Sequence, residues 1–313
     1  MPFAKIRGPM QRPAVVLCSL ILSIATLFAQ PKLIDAHVHH NGDPAFLEKL
    51  VAKLEAVDGL AFLLTAPKDL DSVKAFIAKH PRRLIGFGSI KLDDPDALAQ
   101  IDRFHAAGFR GLGEITGPLK SYDDKSYSPI YERAEKYGMI VLFHSGVVNR
   151  PNPEIATDVS VDRMRVTTLD NIARRYPKLT IIGAHLGNPD YAWAAEIARW
   201  NPNLFFDLSG STLIKKQEDY SFFKSIFWWS GVVSPHTPKS GVSAFEKVIF
   251  GSDVFGGDLA EFDASIERYR KMLDACGVAA PARENIFSGT LWRILNQGIL
   301  NRSMRAPQSA TAP

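Results

Sequence analysis

Several polar residues in this 313-residue chain close short apolar runs, where side chains from separate parts of a fold can meet. In Ile34-Asp35-Ala36-His37-Val38-His39 two histidines lie two apart. Side chains two apart in a strand share a face, so His37 and His39 project together, as two ligands of one metal must. His144 closes Ile140-Val141-Leu142-Phe143, His185 closes Ile181-Ile182-Gly183-Ala184, and Asp253 closes Val248-Ile249-Phe250-Gly251-Ser252. Taken singly, each reads as a hydrogen-bonded core histidine or an N-capping aspartate. Taken together at equivalent run ends, they converge on one point and fit a hard or borderline divalent cation held by imidazole and carboxylate. Glu114 ends Phe109-Arg110-Gly111-Leu112-Gly113 and has two readings. By alternation it shares a side with Arg110, which suggests an ion pair or a hydrogen-bonded wall of the barrel; as a strand-end carboxylate it could instead bridge two metals.

Parallel strands are needed to bring these positions together, and the sequence supplies them. Eight apolar, β-branched runs are predicted as strands: 32–38, 59–65, 84–90, 109–115, 139–144, 179–185, 204–208 and 247–253. Helical patterns lie between them at 44–57, 70–79, 96–107, 128–137, 161–175 and 190–200, each with Gly or Pro punctuation near its end. Strand then helix, repeated, implies a parallel sheet covered by helices. Eight units in a chain of this length predict an α/β fold of the (β/α)8 TIM-barrel type, whose active sites lie at the C-terminal ends of the strands. No GxGxxG or GxxxxGK run is present, which excludes the usual phosphate loops. The connection from Ser209 to Glu246 is long and holds Tyr220, Phe222, Phe223, Phe227, Trp228 and Trp229, as either a lid or substrate wall, or helices packing aromatics on the barrel.

Composition limits the remaining choices. With 46% hydrophobic and 22% charged residues the chain is globular rather than disordered or fibrous. Residues 1–29 are distinct: Lys5, Arg7 and Arg12 precede an apolar run from Ala14 to Ala29 that is shorter than the roughly 20 residues a membrane span requires. This predicts a secretory signal peptide cleaved before Gln30, a secreted or periplasmic location, and no stable membrane span afterwards; an uncleaved N-terminal anchor is the second choice. Cleavage leaves 284 residues and takes three of the four formal positive charges. The remaining Lys and Arg are scattered among acids, so nothing supports nucleic-acid binding. Only Cys276 stays in the mature chain, which precludes an intrachain disulfide. Residues 30–300 are expected to form a single domain and 301–313 a disordered tail.

In these segments the chain resembles the amidohydrolase superfamily, within it the branch of aminocarboxymuconate semialdehyde decarboxylase and related aromatic-acid decarboxylases, hydratases and lactonases. The likeness rests on Ile34-Asp35-Ala36-His37-Val38-His39, Val141-Leu142-Phe143-His144, Arg175-Tyr176-Pro177-Lys178-Leu179 leading to Ala184-His185-Leu186-Gly187, and Phe250-Gly251-Ser252-Asp253. It implies that His37, His39, His144 and Asp253 hold the metal, usually zinc with manganese as the alternative. It also implies that Asp253 is the general base and that His185 is a catalytic histidine or, with Glu114, a ligand of a second metal. Dimerisation is common in that branch. The segment Ser288-Gly289-Thr290-Leu291 departs from the Gly-Asn-Ala run of many relatives.

Two chemistries use the same residues. In hydrolysis of a small lactone, amide or ester, a metal-activated water gives its proton to Asp253 and attacks the carbonyl while His185 polarises it. In decarboxylation of a small aromatic or unsaturated acid, the metal chelates the substrate and a cation, for which Arg150 is the candidate, binds its carboxylate. The secretory leader favours hydrolysis. A catalytically silent metal-binding barrel is a third reading, against which the full ligand set argues.

Overall fold

The computed structural model describes residues 29–150, 152–228, 244–256 and 259–303, side chains being described as far as residue 297. The chain divides into two compact units, Met1–Gln30 and Pro31–Pro313. Almost all of the segment expected to be a signal peptide, the second half of the aromatic connection including Trp229, and residues 304–313 fall outside the described residues.

In the second unit the predicted alternation is realised as a (β/α)8 barrel. The strands are β1 (Leu33–His39), β2 (Gly59–Thr65), β3 (Leu84–Gly88), β4 (Gly111–Ile115), β5 (Ile140–Phe143), β6 (Thr180–Gly183), β7 (Leu204–Asp207), β8 (Val248–Ile249) and β9 (Val254–Phe255). The helices are α1 (Pro44–Ala56), α2 (Leu70–Lys79), α3 (Ala97–Ala106), α4 (Ser128–Tyr137), α5 (Thr167–Arg175), α6 (Tyr191–Trp200), α7 (Ser211–Lys216), α8 (Phe222–Ile226), α9 (Ala260–Ala275), α10 (Ala280–Glu284) and α11 (Thr290–Ser303). Every strand pair is parallel, in the order β8-β7-β6-β5-β4-β3-β2-β1-β9. The eighth predicted run, 247–253, holds β8, which pairs with β7; β9 follows it and pairs with β1, and the residues between them, Phe250–Asp253, also bond to β1. Phe250 O accepts from Ala36 N–H at 3.0 Å, and Asp253 N–H donates to His37 O at 2.8 Å, so the sheet closes on itself.

Local chemistry explains the helix starts. Asp43 accepts from Ala45 N–H at the head of α1, where Pro44 needs no hydrogen-bond partner, and Gly138 ends α4 in a left-handed conformation at φ 61°. Ile34, Phe62, Phe87, Leu142, Ile182 and Ile249 fill the barrel interior, over which Leu291 and Leu295 of α11 pack. A larger core joins the outer strand faces to the helices. Helix α11 extends to Ser303, beyond the predicted domain end at residue 300.

Two irregularities aim the chemistry inward. β1 and β2 pair Asp35 with Ala61 but Val38 with Leu63, three residues against two. This β-bulge reverses the alternation. Without it His37 would oppose Leu63 on the helix-facing side; with it Val38 takes that place and His39 opposes Leu64, an interior residue. The buried Asp35 carboxylate secures the bulge, because its Oδ1 accepts from His37 N–H (3.0 Å) and Ser252 N–H (2.9 Å). Burial pushes the Asp35 carboxyl up to about 6 despite those bonds. The same three-against-two irregularity lies between Leu112 and Ile115 of β4, with Gly113 in it at φ 141°. It turns Glu114 to the interior and away from Arg110, whose guanidinium donates to Leu295 O of α11. The ion pair expected from simple alternation is therefore not formed with Glu114.

Candidate metal centre

All six strand-end candidates meet inside the barrel mouth, in two trios. His37, His39 and Asp253 offer ligand atoms within 4.8 Å of one another, as do Glu114, His144 and His185. In the first, His37 Nε2 lies 3.1 Å from His39 Nε2, and Asp253 Oδ1 lies 3.4 and 3.2 Å from those nitrogens. In the second, Glu114 Oε1 lies 3.0 Å from His144 Nδ1 and 3.5 Å from His185 Nε2. The other Glu114 oxygen, Oε2, is 3.8 Å from the Nε2 atoms of both His37 and His39. One carboxylate thus faces both trios. The resemblance placed His144 with His37, His39 and Asp253, whereas the structure groups it with Glu114 and His185. The reason is the sheet order: β5 stands between β4 and β6, whereas β1 borders β9 and the Phe250–Asp253 connection that carries Asp253.

A further residue orders the cluster. Phe205 and Asp207 share the inner face of β7, and Asp207 is fully buried. Its Oδ2 accepts from His37 Nδ1 at 3.0 Å; its Oδ1 accepts from the backbone N–H of His185 (2.9 Å), Ser209 N–H (3.0 Å) and Ser209 Oγ (2.6 Å). With its own proton given to Asp207, Ser209 Oγ accepts from His185 Nδ1 at 3.0 Å. Both imidazoles are thereby oriented with Nδ1 turned outward and Nε2 turned to the centre, so that loss of the Nε2 proton would leave the tautomer a metal ligand needs. In the sequence the signal for Asp207 is a carboxylate at the end of an otherwise apolar Leu204-Phe205-Phe206 run, which by itself reads as pocket floor.

Charge in the cluster is mutually supported. Burial would raise the Glu114 carboxyl, and His37, His144 and His185 outweigh it, leaving the group well below the usual carboxylate range. For His37 burial would lower the pKa, but Asp253, Asp207 and Glu114 raise it well above the ordinary imidazole value. Asp207 is held at about 2, with burial opposed by His37, His185 and Ser209. Asp253 is lowered, burial being outweighed by His37, His39 and His185.

The residues present fit a metal. His144 Nε2 is buried without a hydrogen-bond partner, and imidazole nitrogens and carboxylate oxygens converge at the separations that ligands of one cation have. Asp253 (φ 57°) and His185 (φ 61°) adopt left-handed conformations uncommon for residues with a Cβ, strain of the kind functional sites hold. Gly210, at φ 60°, gives them room: a Cβ there would lie 2.9 Å from Asp253 Oδ2 and 3.1 Å from His185 Nδ1.

A family model for amidohydrolases matches residues 34–294, a span that contains every residue of the cluster. The chain belongs to the amidohydrolase family. No curated protein matches the sequence. Among solved structures, the amidohydrolase is similar to an uncharacterised TIM-barrel protein from Bordetella bronchiseptica (15% identity, TM-score 0.58, 85% of this chain and 99% of that one). It is similar to the 2,6-dihydroxybenzoate decarboxylase from Rhizobium (14%, 0.55, 85% and 99%). A third is named as a probable 2-pyrone-4,6-dicarboxylic acid hydrolase from Acinetobacter baumannii, with citric acid bound (13%, 0.51, 82% and 99%). At such identities the likeness is one of fold, and it spans both a hydrolase and a decarboxylase.

Two sequence candidates lie apart from the cluster. Arg150 is exposed in the loop after β5, where its guanidinium donates to Pro153 O. In the aromatic connection, Phe223 and Phe227 are buried and Phe227 packs on Phe245, so the described part of it closes the outer core rather than a lid. No described helix is long and apolar enough to cross a membrane.

Proposed function

We propose that this amidohydrolase is a metal-dependent hydrolase that cleaves a small lactone, amide or ester, and that it uses two divalent ions, zinc by preference and manganese as the alternative. The observation that carries the reading is Glu114, whose two oxygens face the two trios at 3.8 and 3.0 Å. A carboxylate so placed suits a bridge between two ions, and paired ions suit hydrolysis, where the attacking and leaving oxygens both need stabilising. His37, His39 and Asp253 would hold one ion, His144 and His185 the other, with Glu114 between. When bound, the metal supplies an acidified water and polarises the substrate carbonyl.

The protein's own groups do the rest. Asp253 is the only carboxylate of the cluster that is a quarter exposed, its side chain at 26%, so Oδ2 can take the proton of the attacking water and return it to the leaving group. Asp207 and Ser209 keep His37 and His185 fixed in one orientation, which keeps the ligand set in place through the cycle.

Residues 1–29 support a secreted or periplasmic setting for the reaction. Non-oxidative decarboxylation remains the second reading, since the fold is shared with 2,6-dihydroxybenzoate decarboxylase. The test is to assay chelated and metal-reconstituted enzyme on lactones, anilides and activated esters, and on dihydroxybenzoates for carbon dioxide release. Metal-dependent ester or lactone cleavage is expected. Carbon dioxide release without cleavage would replace hydrolysis by decarboxylation, and tight metal binding with neither would leave the silent barrel.

A further inference from the structure

Among the described large apolar side chains Phe255 is the most exposed, at 73%. A single exposed apolar residue is ordinary on a protein surface; this one is set apart by where the sheet holds it. β9 pairs with β1 so that Val254 meets Val38 and Phe255 meets His39. Val38 and Val254 both turn outward into the core beneath the helices. His39 opposes Leu64 of the barrel interior, and Phe255, next along the strand from Val254, alternates to that same inner side. The rings of Phe255 and His39 lie 5.2 Å apart between centroids, at 53° to one another.

The cluster is open on this side. Asp253 and His39 are its most exposed side chains, at 26 and 20%, against at most 12% for His37, Glu114, His144 and His185. Phe255 touches His39 and follows Asp253 by two residues. A molecule that reaches the Asp253 carboxylate from solvent therefore arrives beside a bare phenyl ring, which the strand pairing keeps in place.

We infer that Phe255 is a substrate-contacting residue, and that it selects molecules carrying a flat apolar ring beside the scissile carbonyl. Offset or edge-to-face contact between two such rings removes apolar area of both from water, and adds the electrostatic fit of ring edge to ring face. A substrate without the ring leaves Phe255 as exposed as before and gains nothing there. The inference deepens the hydrolase reading and rests on it for the reaction, though not for binding.

The test compares full-length, metal-reconstituted wild type with Phe255→Ala and Phe255→Tyr, changes that an exposed position tolerates. Benzohydroxamate and acetohydroxamate are unreacting probes that share one chelating head, with and without a ring, and calorimetric titration gives both dissociation constants. Wild type should prefer the ring-bearing probe, and this preference should fall about tenfold in Phe255→Ala and be kept in Phe255→Tyr. The ratio separates contact from support, because a ring that only steadied His39 would weaken both probes together. An unchanged ratio in Phe255→Ala, or no preference in wild type, would overturn the inference. So would a wild-type dimer that Phe255→Ala dissociates with the ratio unchanged, since the ring would then belong to a contact with a second copy. A second readout is kcat/KM for dihydrocoumarin over that for δ-valerolactone, which should also fall about tenfold in Phe255→Ala. If neither lactone is cleaved while the hydroxamate ratio falls, the hydrolase reading fails and the role of Phe255 stands.

Discussion

The carboxylate of Asp207 accepts the Nδ1 proton of His37 at 3.0 Å, and its other oxygen takes the backbone N–H of His185 at 2.9 Å. One buried group therefore sets the orientation of a histidine in each trio. An imidazole free to turn would lose this preset orientation, and each rotation would break the ligand set. Asp207→Asn is expected to lower metal affinity about 10–100-fold, with the fold intact by circular dichroism. Competition with a chromogenic chelator measures it; unchanged affinity would show that the bond is structural only.

In the proposed site Asp253 combines a ligand oxygen with the most exposed carboxylate of the cluster. Asp253→Asn keeps shape but cannot accept a proton, so kcat should fall about 10²–10⁴-fold. Steady-state kinetics on whichever ester or lactone proves active provides the comparison. A variant with wild-type kcat would move the proton transfer elsewhere.

Gly210 gives the cluster its clearance. An alanine there meets Asp253 Oδ2 at 2.9 Å and must hold φ near 60° with ψ near −140°. Gly210→Ala should cost about 1–3 kcal/mol of stability and reduce activity together. Urea unfolding read beside kinetics checks both.

Lys247 gives a pH dependence far from the metal. It is buried, its Nζ donates to Asn201 O at 2.7 Å, and burial lowers its pKa to about 7. Between that value and the unfolded one near 10.5, the unfolded chain holds the proton and the folded chain does not. Stability from this group therefore rises with pH across that window and is lost as pH falls through about 7. Relative to Lys247→Met, wild type should gain about 2 kcal/mol between pH 6 and pH 9 in urea unfolding. A pH-independent difference would show that the amine keeps its proton on Asn201 O.

Period-two and period-3.6 patterning was enough to place eight β/α units, and the run ends were enough to name His37, His39, Glu114, His144, His185 and Asp253. What patterning missed follows from irregular backbone. Bulges at Ala36-His37 and at Gly113 turn His37 and Glu114 through the sheet, and strict alternation put Glu114 beside Arg110 instead. The left-handed turns at His185 and Asp253 likewise have no signature in periodicity. Asp207 was legible as a carboxylate at a strand end but not as the residue that orients His37, because its partner is 170 residues away. The division into two trios depends on which strands are neighbours, a property of the closed sheet.

The bridging role of Glu114 is the centre of the account, and metal content of purified wild type against Glu114→Gln tests it most directly. Elemental analysis after reconstitution should give about two ions per chain in wild type and about one in the variant, whose amide cannot serve two cations. One ion in wild type, unchanged in Glu114→Gln, would contradict the bridge and leave a mononuclear site at His37, His39 and Asp253.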